Sequence, residues 1–297
     1  MWVQKVSQLI MKIPYYPGCT LNTVARGFDT SARESAVLLG FELKELNQWN
    51  CCGATFPLTP DNVMGLTAPT KVLSNARKEG DTVTTLCSVC YNVLKRTNKV
   101  VRDDKEKREV VNSFIEEEYD GSLNVIHYLE VLRDKIGFEK VKGAVKRPLK
   151  GIKAGAYYGC MLLRPFEDIG IDRAEGPTIF EGLLKALGCE PVEFPDKIEC
   201  CGAHLAMGNE DVVKKLSGNV LNSARNKGAE IVVTSCPLCQ YNLEKSQKSL
   251  EGSAGGTQIP IVYFTQLLGL ALGQDEASLG LEKNLFDVRP LLSGRGI

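Results

Sequence analysis

The chain has 297 residues, 43% hydrophobic and 24% charged, as expected of a globular protein able to bury a core. Its 36 basic residues balance 36 acidic ones, so charge gives no reason to expect a nucleic-acid partner or a polybasic membrane contact. No stretch reaches the roughly 18–20 apolar residues that span a bilayer, and Met1–Lys12 lacks the apolar core and cleavage site of a signal peptide; the expectation is a cytoplasmic protein that is not itself a membrane protein.

In chain order, short apolar runs alternate with longer helical patterns, which predicts βαβ units and a parallel sheet. Lys12 to Tyr16 reads as a strand, Val24 to Leu39 as a helix stopped by Gly40, and Glu42 to Leu46 as a second strand. Val63 to Lys78 reads as helix with Pro69 near its start, Thr82 to Leu86 as strand, and Val89 to Val101 as helix. The charged stretch Lys99 to Tyr119 reads as a solvated helix, and Leu123 to His127 with Leu129 to Ile136 closes the first half. Basic Lys140 to Lys150 reads as a linker. The order then repeats: strand Lys153 to Tyr158, helix Ile179 to Leu187, strand Pro191 to Phe194, helix Val212 to Lys227, strand Ile231 to Thr234, and the closing pair Ile259 to Phe264 and Gln266 to Leu272. After Gly273 the tail reads as a loosely ordered end, with a partner-docking arm as the alternative. The predicted fold is α/β: two pseudo-twofold-related, Rossmann-like domains with small, mostly parallel sheets. They cover residues 12–140 and 151–273, followed by a tail at 274–297.

The eleven cysteines carry the duplication. One set is Cys19, Cys51, Cys52, Cys87 and Cys90; the other is Cys160, Cys200, Cys201, Cys236 and Cys239; Cys189 is left over. The distance from pair to C-x-x-C is 87 − 52 = 35 positions in one half and 236 − 201 = 35 in the other. From lone cysteine to pair it is 51 − 19 = 32 and 200 − 160 = 40, which places an insertion near Gly170 to Pro177. Flanking residues recur too: Tyr15-Tyr16-Pro17-Gly18-Cys19 with Tyr157-Tyr158-Gly159-Cys160, and Cys51-Cys52-Gly53-Ala54 with Cys200-Cys201-Gly202-Ala203. Ala76-Arg77-Lys78 and Tyr91-Asn92 recur near Ala224 and Tyr241, each offset by one.

In a reducing compartment, clustered cysteines bind metal or do redox chemistry more often than they form disulfides. Three cysteine elements per half fall at or after predicted strand ends, where open parallel sheets bind ligands. Helix N-termini after Cys52 and Cys90 are expected to face the same crevice and stabilise thiolate charge. Gly18, Gly53, Gly159 and Gly202 leave room for a bulky inorganic core. Structural zinc takes four ligands, which five repeated cysteines overshoot. A thioredoxin-like dithiol needs only one C-x-x-C. Disulfide scaffolding and inert burial stand as further alternatives, and the spacing favours iron–sulfur chemistry.

The motif C-xn-C-C-G-xn-C-x-x-C, present twice from about Lys12 to Leu272, resembles the cysteine-rich CCG domain of the heterodisulfide reductase B-type family. The resemblance implies a disulfide (CoB-CoM heterodisulfide-type) reductase subunit with two noncubane 4Fe-4S clusters. Cys19, Cys51, Cys52, Cys87 and Cys90 would hold one; Cys160, Cys200, Cys201, Cys236 and Cys239 would hold the other. A small thiol or disulfide substrate would sit between them, split by one electron from each side. The resemblance also implies a small cubane-cluster subunit (heterodisulfide reductase C-like) and a flavin subunit (A-like) that bifurcates electrons. No G-x-G-x-x-G turn is present, which fits electrons arriving from such partners. Ala54-Thr55-Phe56-Pro57 and Ala203-His204-Leu205 depart from the methanogen pattern, so the substrate is expected to differ. The alternative is a non-catalytic electron-transfer subunit of a larger electron-bifurcating or acyl-CoA reductase complex.

Among single residues, His204 is a candidate catalytic proton donor to a departing thiolate, set against a hydrogen-bonded structural role. His127, matched by Tyr263 in the second half, reads as structural. Arg164 and Lys12 read as ion-paired surface groups, with an anionic substrate as the alternative. Cys189 reads as an inert buried thiol, and Tyr157–Tyr158 as strand core.

Overall fold

A computed structural model describes residues 11–54, 63–249 and 258–297. The opening segment before Met11 and the Thr55-Phe56-Pro57 run after the first cysteine pair lie outside them.

The first half contains strand β1 (Met11–Tyr15), helix α1 (Arg26–Leu38) and strand β2 (Phe41–Glu45), then helix α2 (Thr67–Glu79), strand β3 (Thr82–Thr85) and helix α3 (Ser88–Asp103). Helix α4 (Lys105–Ile115), strand β4 (Asn124–His127) and helix α5 (Phe138–Ala144) follow. The second half has strand β5 (Lys153–Ala156), helix α6 (Ile179–Ala186), strand β6 (Glu190–Val192), helix α7 (Glu210–Asn226) and strand β7 (Ile231–Thr234). It closes with helix α8 (Pro237–Ser249), strand β8 (Ile261–Tyr263) and helix α9 (Phe264–Leu272). The two sheets run β2-β1-β3-β4 and β6-β5-β7-β8. Every pairing is parallel, so the expected α/β fold is present twice in one strand order. Thr85 pairs with His127 and Thr234 with Tyr263, which places that histidine and that tyrosine in one register.

Local chemistry sets the boundaries. Pro69 sits in the first turn of α2, where a missing N–H costs no helical bond. The charged stretch is two helices, because Asp104 ends α3 and caps α4, accepting from the Lys107 N–H at 3.0 Å. It is not solvated all round, since Val101, Val111 and Ile115 are buried. In the inserted loop, the Asp172 carboxylate accepts from the N–H groups of Thr178 and Ile179, both at 2.6 Å. That satisfies open donors at the start of α6.

Two further expectations fail. The supposed linker is partly α5, and the N–H groups of Lys146 and Arg147 both donate to the Ala271 carbonyl, at 2.8 and 2.9 Å. The tail is not loose: Leu279, Leu281, Val288 and Leu292 are buried. It packs onto α1, where a Cβ on Gly27 would stand 2.8 Å from the Leu279 oxygen. The halves also interlock directly. Phe28 of α1 stacks on Tyr263 with centroids 4.2 Å apart. The Ser31 and Thr265 hydroxyls lie 2.6 Å apart, and Thr265 donates to the Phe28 carbonyl at 3.1 Å.

Candidate functional site

In the first half, Cys19 lies in a helical turn (Gly18–Leu21) beyond β1, Cys51 and Cys52 lie beyond β2, and Cys87 leads from β3 into α3. Cys90 is inside the first turn of α3, so this helix begins before its second cysteine and not after it. The sulfurs meet in pairs: Cys19 and Cys51 Sγ are 3.8 Å apart, and Cys52 and Cys90 Sγ are 3.7 Å apart. Gly18 has φ +75° and a Cβ there would fall 2.9 Å from Cys90 Sγ, so only glycine gives the sulfur this space without strain.

The second half repeats this closely. Cys160 and Cys200 Sγ are 3.7 Å apart and Cys201 and Cys239 Sγ 3.6 Å apart. A Cβ on Gly159, at φ +63°, would lie 3.2 Å from Cys239 Sγ. The Gly53 and Gly202 N–H groups donate to Cys51 and Cys200 Sγ at 3.4 and 3.2 Å. Cys19 and Cys51 are exposed, Cys160 and Cys200 partly so, and the other six are buried.

The halves meet at Ser88 and Ser235. Ser88 N–H donates to the Ser235 carbonyl at 3.1 Å, and their hydroxyls stand 2.6 Å apart. This seam sets Cys87 against Cys236. The Cys87 thiol is drawn well below its usual value by a hydrogen bond from Cys236, then by one from Cys90 and by the N–H groups of Cys90 and Val89. Cys236 is correspondingly held high. A thiolate beside a helix N-terminus is stabilised by its open donors and dipole.

Among the described residues, no three His, Cys, Asp or Glu donors gather about one point as a single metal ion would need. Two thiolates on one tetrahedral metal at about 2.3 Å stand roughly 3.8 Å apart. The four sulfur pairs match that edge, and paired edges with glycine-cleared space suit a polynuclear centre better than mononuclear zinc.

The CCG cysteine-rich domain family matches residues 13–95 and again residues 154–244. The chain belongs to that family. Within it, the chain is similar to the 8-methylmenaquinol:fumarate reductase membrane anchor subunit of Wolinella succinogenes, 34% identical over 93% of this chain and 98% of that one. It is 29% identical to the B component of the ferredoxin/F(420)H(2)-dependent CoB-CoM heterodisulfide reductase of Methanosarcina acetivorans, over 92% of this chain and 93% of that one. A heterodisulfide reductase B-like protein of Archaeoglobus profundus is 27% identical over 90% of this chain and 92% of its own. A hypothetical protein from Helicobacter pylori shares the fold at a TM-score of 0.72 and 14% identity, covering 92% of this chain and 51% of its own. Among the described residues of this CCG protein, no helix is long and apolar enough to cross a membrane.

The other candidates of the CCG chain separate clearly. His204 is exposed on a short turn (Ala203–Leu205), its Nδ1 3.9 Å from Cys200 Sγ. His127 is fully buried; its Nε2 is 2.7 Å from the Leu86 carbonyl, and its Nδ1 accepts from the Leu129 N–H at 3.2 Å. Burial lowers it to about 4, so it is a neutral structural cap. Arg164 pairs with Glu199 at 3.8 Å on the rim of the second site, while Lys12 pairs with Glu42 at 3.3 Å at the far end of β1. Cys189 is buried away from the other thiols, and burial pushes it up to about 12.

Tyr157 and Tyr158 lie just past β5 and are more than strand core. The Tyr157 hydroxyl donates to the Glu199 carbonyl at 2.8 Å, and the Tyr16 hydroxyl to the Asn50 carbonyl at 2.9 Å. Each tyrosine therefore holds the residue immediately before its own cysteine pair. Burial, then the neighbouring thiols, push both phenols up, which keeps them neutral donors. The recurring Tyr three positions before Cys19 and before Cys160 is the signal for this clamp. Tyr91-Asn92 and Tyr241-Asn242 are not equivalent: Tyr91 is buried and Tyr241 is 57% exposed. A one-residue offset turns a side chain about 100° round a helix.

Proposed function

We propose that the chain is an iron–sulfur oxidoreductase subunit of the heterodisulfide reductase B type that reduces a disulfide between two noncubane 4Fe-4S clusters. The observation that carries this is the twofold set of sulfur pairs, 3.6–3.8 Å apart, joined across the Ser88–Ser235 seam. Cys19, Cys51, Cys52, Cys87 and Cys90 would hold one cluster, and Cys160, Cys200, Cys201, Cys236 and Cys239 the other. When bound, each cluster supplies one electron. The overall change is RSSR′ + 2 e⁻ + 2 H⁺ → RSH + R′SH, and duplication matches the two electrons to two symmetric sites. The chain's own residues do the rest. Tyr16 and Tyr157 fix the cysteine-pair loops, and buried Cys87 and Cys236 close the seam. The exposed thiols, Cys19 and Cys51, leave an open edge for a small disulfide. His204 is the proton source for a departing thiolate at the second site. Electrons arrive from a small cubane-cluster subunit and, beyond it, a flavin subunit. The setting is cytoplasmic.

A second reading is favoured by the Wolinella relative, whose name places it as an anchor subunit of a quinol-linked reductase. Here the chain passes electrons within a larger complex and does no bond chemistry. Anaerobically purified protein analysed for iron and acid-labile sulfide tests both readings against zinc; a colourless zinc protein without sulfide would end them. Electron paramagnetic resonance with added thiols and disulfides separates the two. A cluster signal that shifts on addition supports the reductase, and no response to any of them supports the relay. His204→Asn should slow disulfide turnover while leaving iron content unchanged.

A further inference from the structure

The two sites share their sulfur pairs, their glycine N–H donors and their tyrosine clamps, so any group present in only one of them distinguishes them. Asn242 is such a group. It lies in α8, 3% exposed, and its Nδ2 donates to Cys201 Sγ at 3.6 Å. It also lines a cavity of about 180 Å³ with Met207, Tyr241 and Lys245. The corresponding sulfur of the first site, Cys52, has no side-chain amide on it among the described residues. The nearest asparagine in sequence, Asn92 of α3, is turned the other way. Its Nδ2 donates across the seam to the carbonyls of Met161 and Arg164, at 2.7 and 2.6 Å, beside Cys160. Both asparagines therefore serve the second half. The first site has its own contacts: the Tyr16 hydroxyl acts on buried Cys52, and Thr20 Oγ1 lies 3.7 Å from Cys19 Sγ in an exposed pair. A hydrogen bond in a buried, low-dielectric setting acts more strongly than one in water.

We infer that Asn242 is a positioning residue that raises the reduction potential of the second cluster and not of the first; this rests on the cluster reading above. Hydrogen bonds to cluster sulfur favour the more negative, reduced state and so raise the potential. Leucine in place of Asn242 keeps the branch at Cγ and removes the donor.

The test is a potentiometric titration followed by electron paramagnetic resonance, on anaerobic wild-type holoprotein and on Asn242→Leu. The expected result is a lower midpoint for one cluster signal and an unmoved midpoint for the other. Both midpoints unmoved, or both moved equally, would overturn the inference while leaving the clusters in place. Should the variant lose iron, wild-type protein labelled with ¹⁵N only at asparagine decides the matter. Pulsed resonance should then show a weak nitrogen coupling on one cluster signal only; coupling on neither or on both overturns it. Wild-type protein without iron and sulfide would instead sink the cluster reading, and this inference with it.

Discussion

His127 shows how one buried side chain in this fold gains a pH-dependent role without chemistry. Its ring is desolvated and held between the Leu86 carbonyl and the Leu129 N–H, so the charged form is disfavoured and its value falls from 6.5 to about 4. The unfolded chain takes up this proton below about 6.5 and the folded chain only below about 4. The contribution to stability is therefore fully present above about 6.5 and is lost as pH falls to about 4. That gap corresponds to about 3 kcal/mol. Glu244 opposes it, because burial raises its carboxyl from 4.5 to about 7 and the folded state then binds the extra proton. Denaturant melts of wild type and His127→Gln at pH 7.5 and pH 5 isolate the histidine. The wild type should lose more stability on acidification than the variant, and equal losses would refute the assignment. From sequence, His127 reads as structural through its apolar strand neighbours and its match to Tyr263. Asn242 is not legible there, because the eye aligns Asn242 with Asn92 and only the helix faces show that they point to different partners.

At the scale of elements, both cysteine-pair loops are braced by a tyrosine–carboxylate–cation network, half-buried in the first half and centred on a buried pair in the second, built from residues that do not align. In the first half, the Tyr15 hydroxyl donates to Asp29 at 2.6 Å, and Arg33 bridges Asp29 and Glu45 at 2.7 and 2.6 Å. In the second, Tyr158 donates to Glu181, and Lys197 Nζ bridges Glu181 and Glu193, both at 2.7 Å. The Lys197 carbonyl also accepts from the Tyr158 N–H at 2.9 Å, so the turn that precedes Cys200 is tied to the strand that precedes Cys160. Lys197 and Glu181 side chains are only 8% and 5% exposed. Removing one partner of a buried pair leaves an uncompensated charge and costs about 3–5 kcal/mol. Lys197→Met should lower unfolding free energy by that order in urea melts and reduce iron bound per chain; a variant as stable as wild type would show that the network is dispensable. The strands, the main helices and the duplication are legible in the sequence because period and cysteine spacing are local signals. These braces are not, since Tyr15 stands four residues before Cys19 and Tyr158 only two before Cys160.

The whole molecule is two copies of one sheet order locked by exchanged helices. Helix α9 of the second half packs on α1 of the first through Ser31, Thr265 and the Phe28–Tyr263 stack. In return, α6 of the second half meets α5 of the first, where a Cβ on Gly182 would lie 2.7 Å from the Phe138 ring. The tail adds a strap: the Thr30 hydroxyl donates to the Ser278 carbonyl at 2.8 Å, while Arg295 pairs with Glu230 at 2.6 Å. The tail is hard to read in the sequence because its buried residues share no single period: Leu279 and Leu281 are two apart, Val288 and Leu292 four apart. Cutting the chain between the halves would expose Phe28, Tyr263 and Phe264, all buried in the intact chain, along with the Ser88–Ser235 seam. Each half would then present a large apolar face to water, at about 25 cal/mol per Å² of apolar area. The halves are therefore expected to unfold together. Calorimetry on the cluster-free chain, kept reduced, should give one transition whose calorimetric and van't Hoff enthalpies agree. Two resolved transitions, or a stable folded fragment from residues 151–297 alone, would show that the interlock is weaker than its contacts indicate.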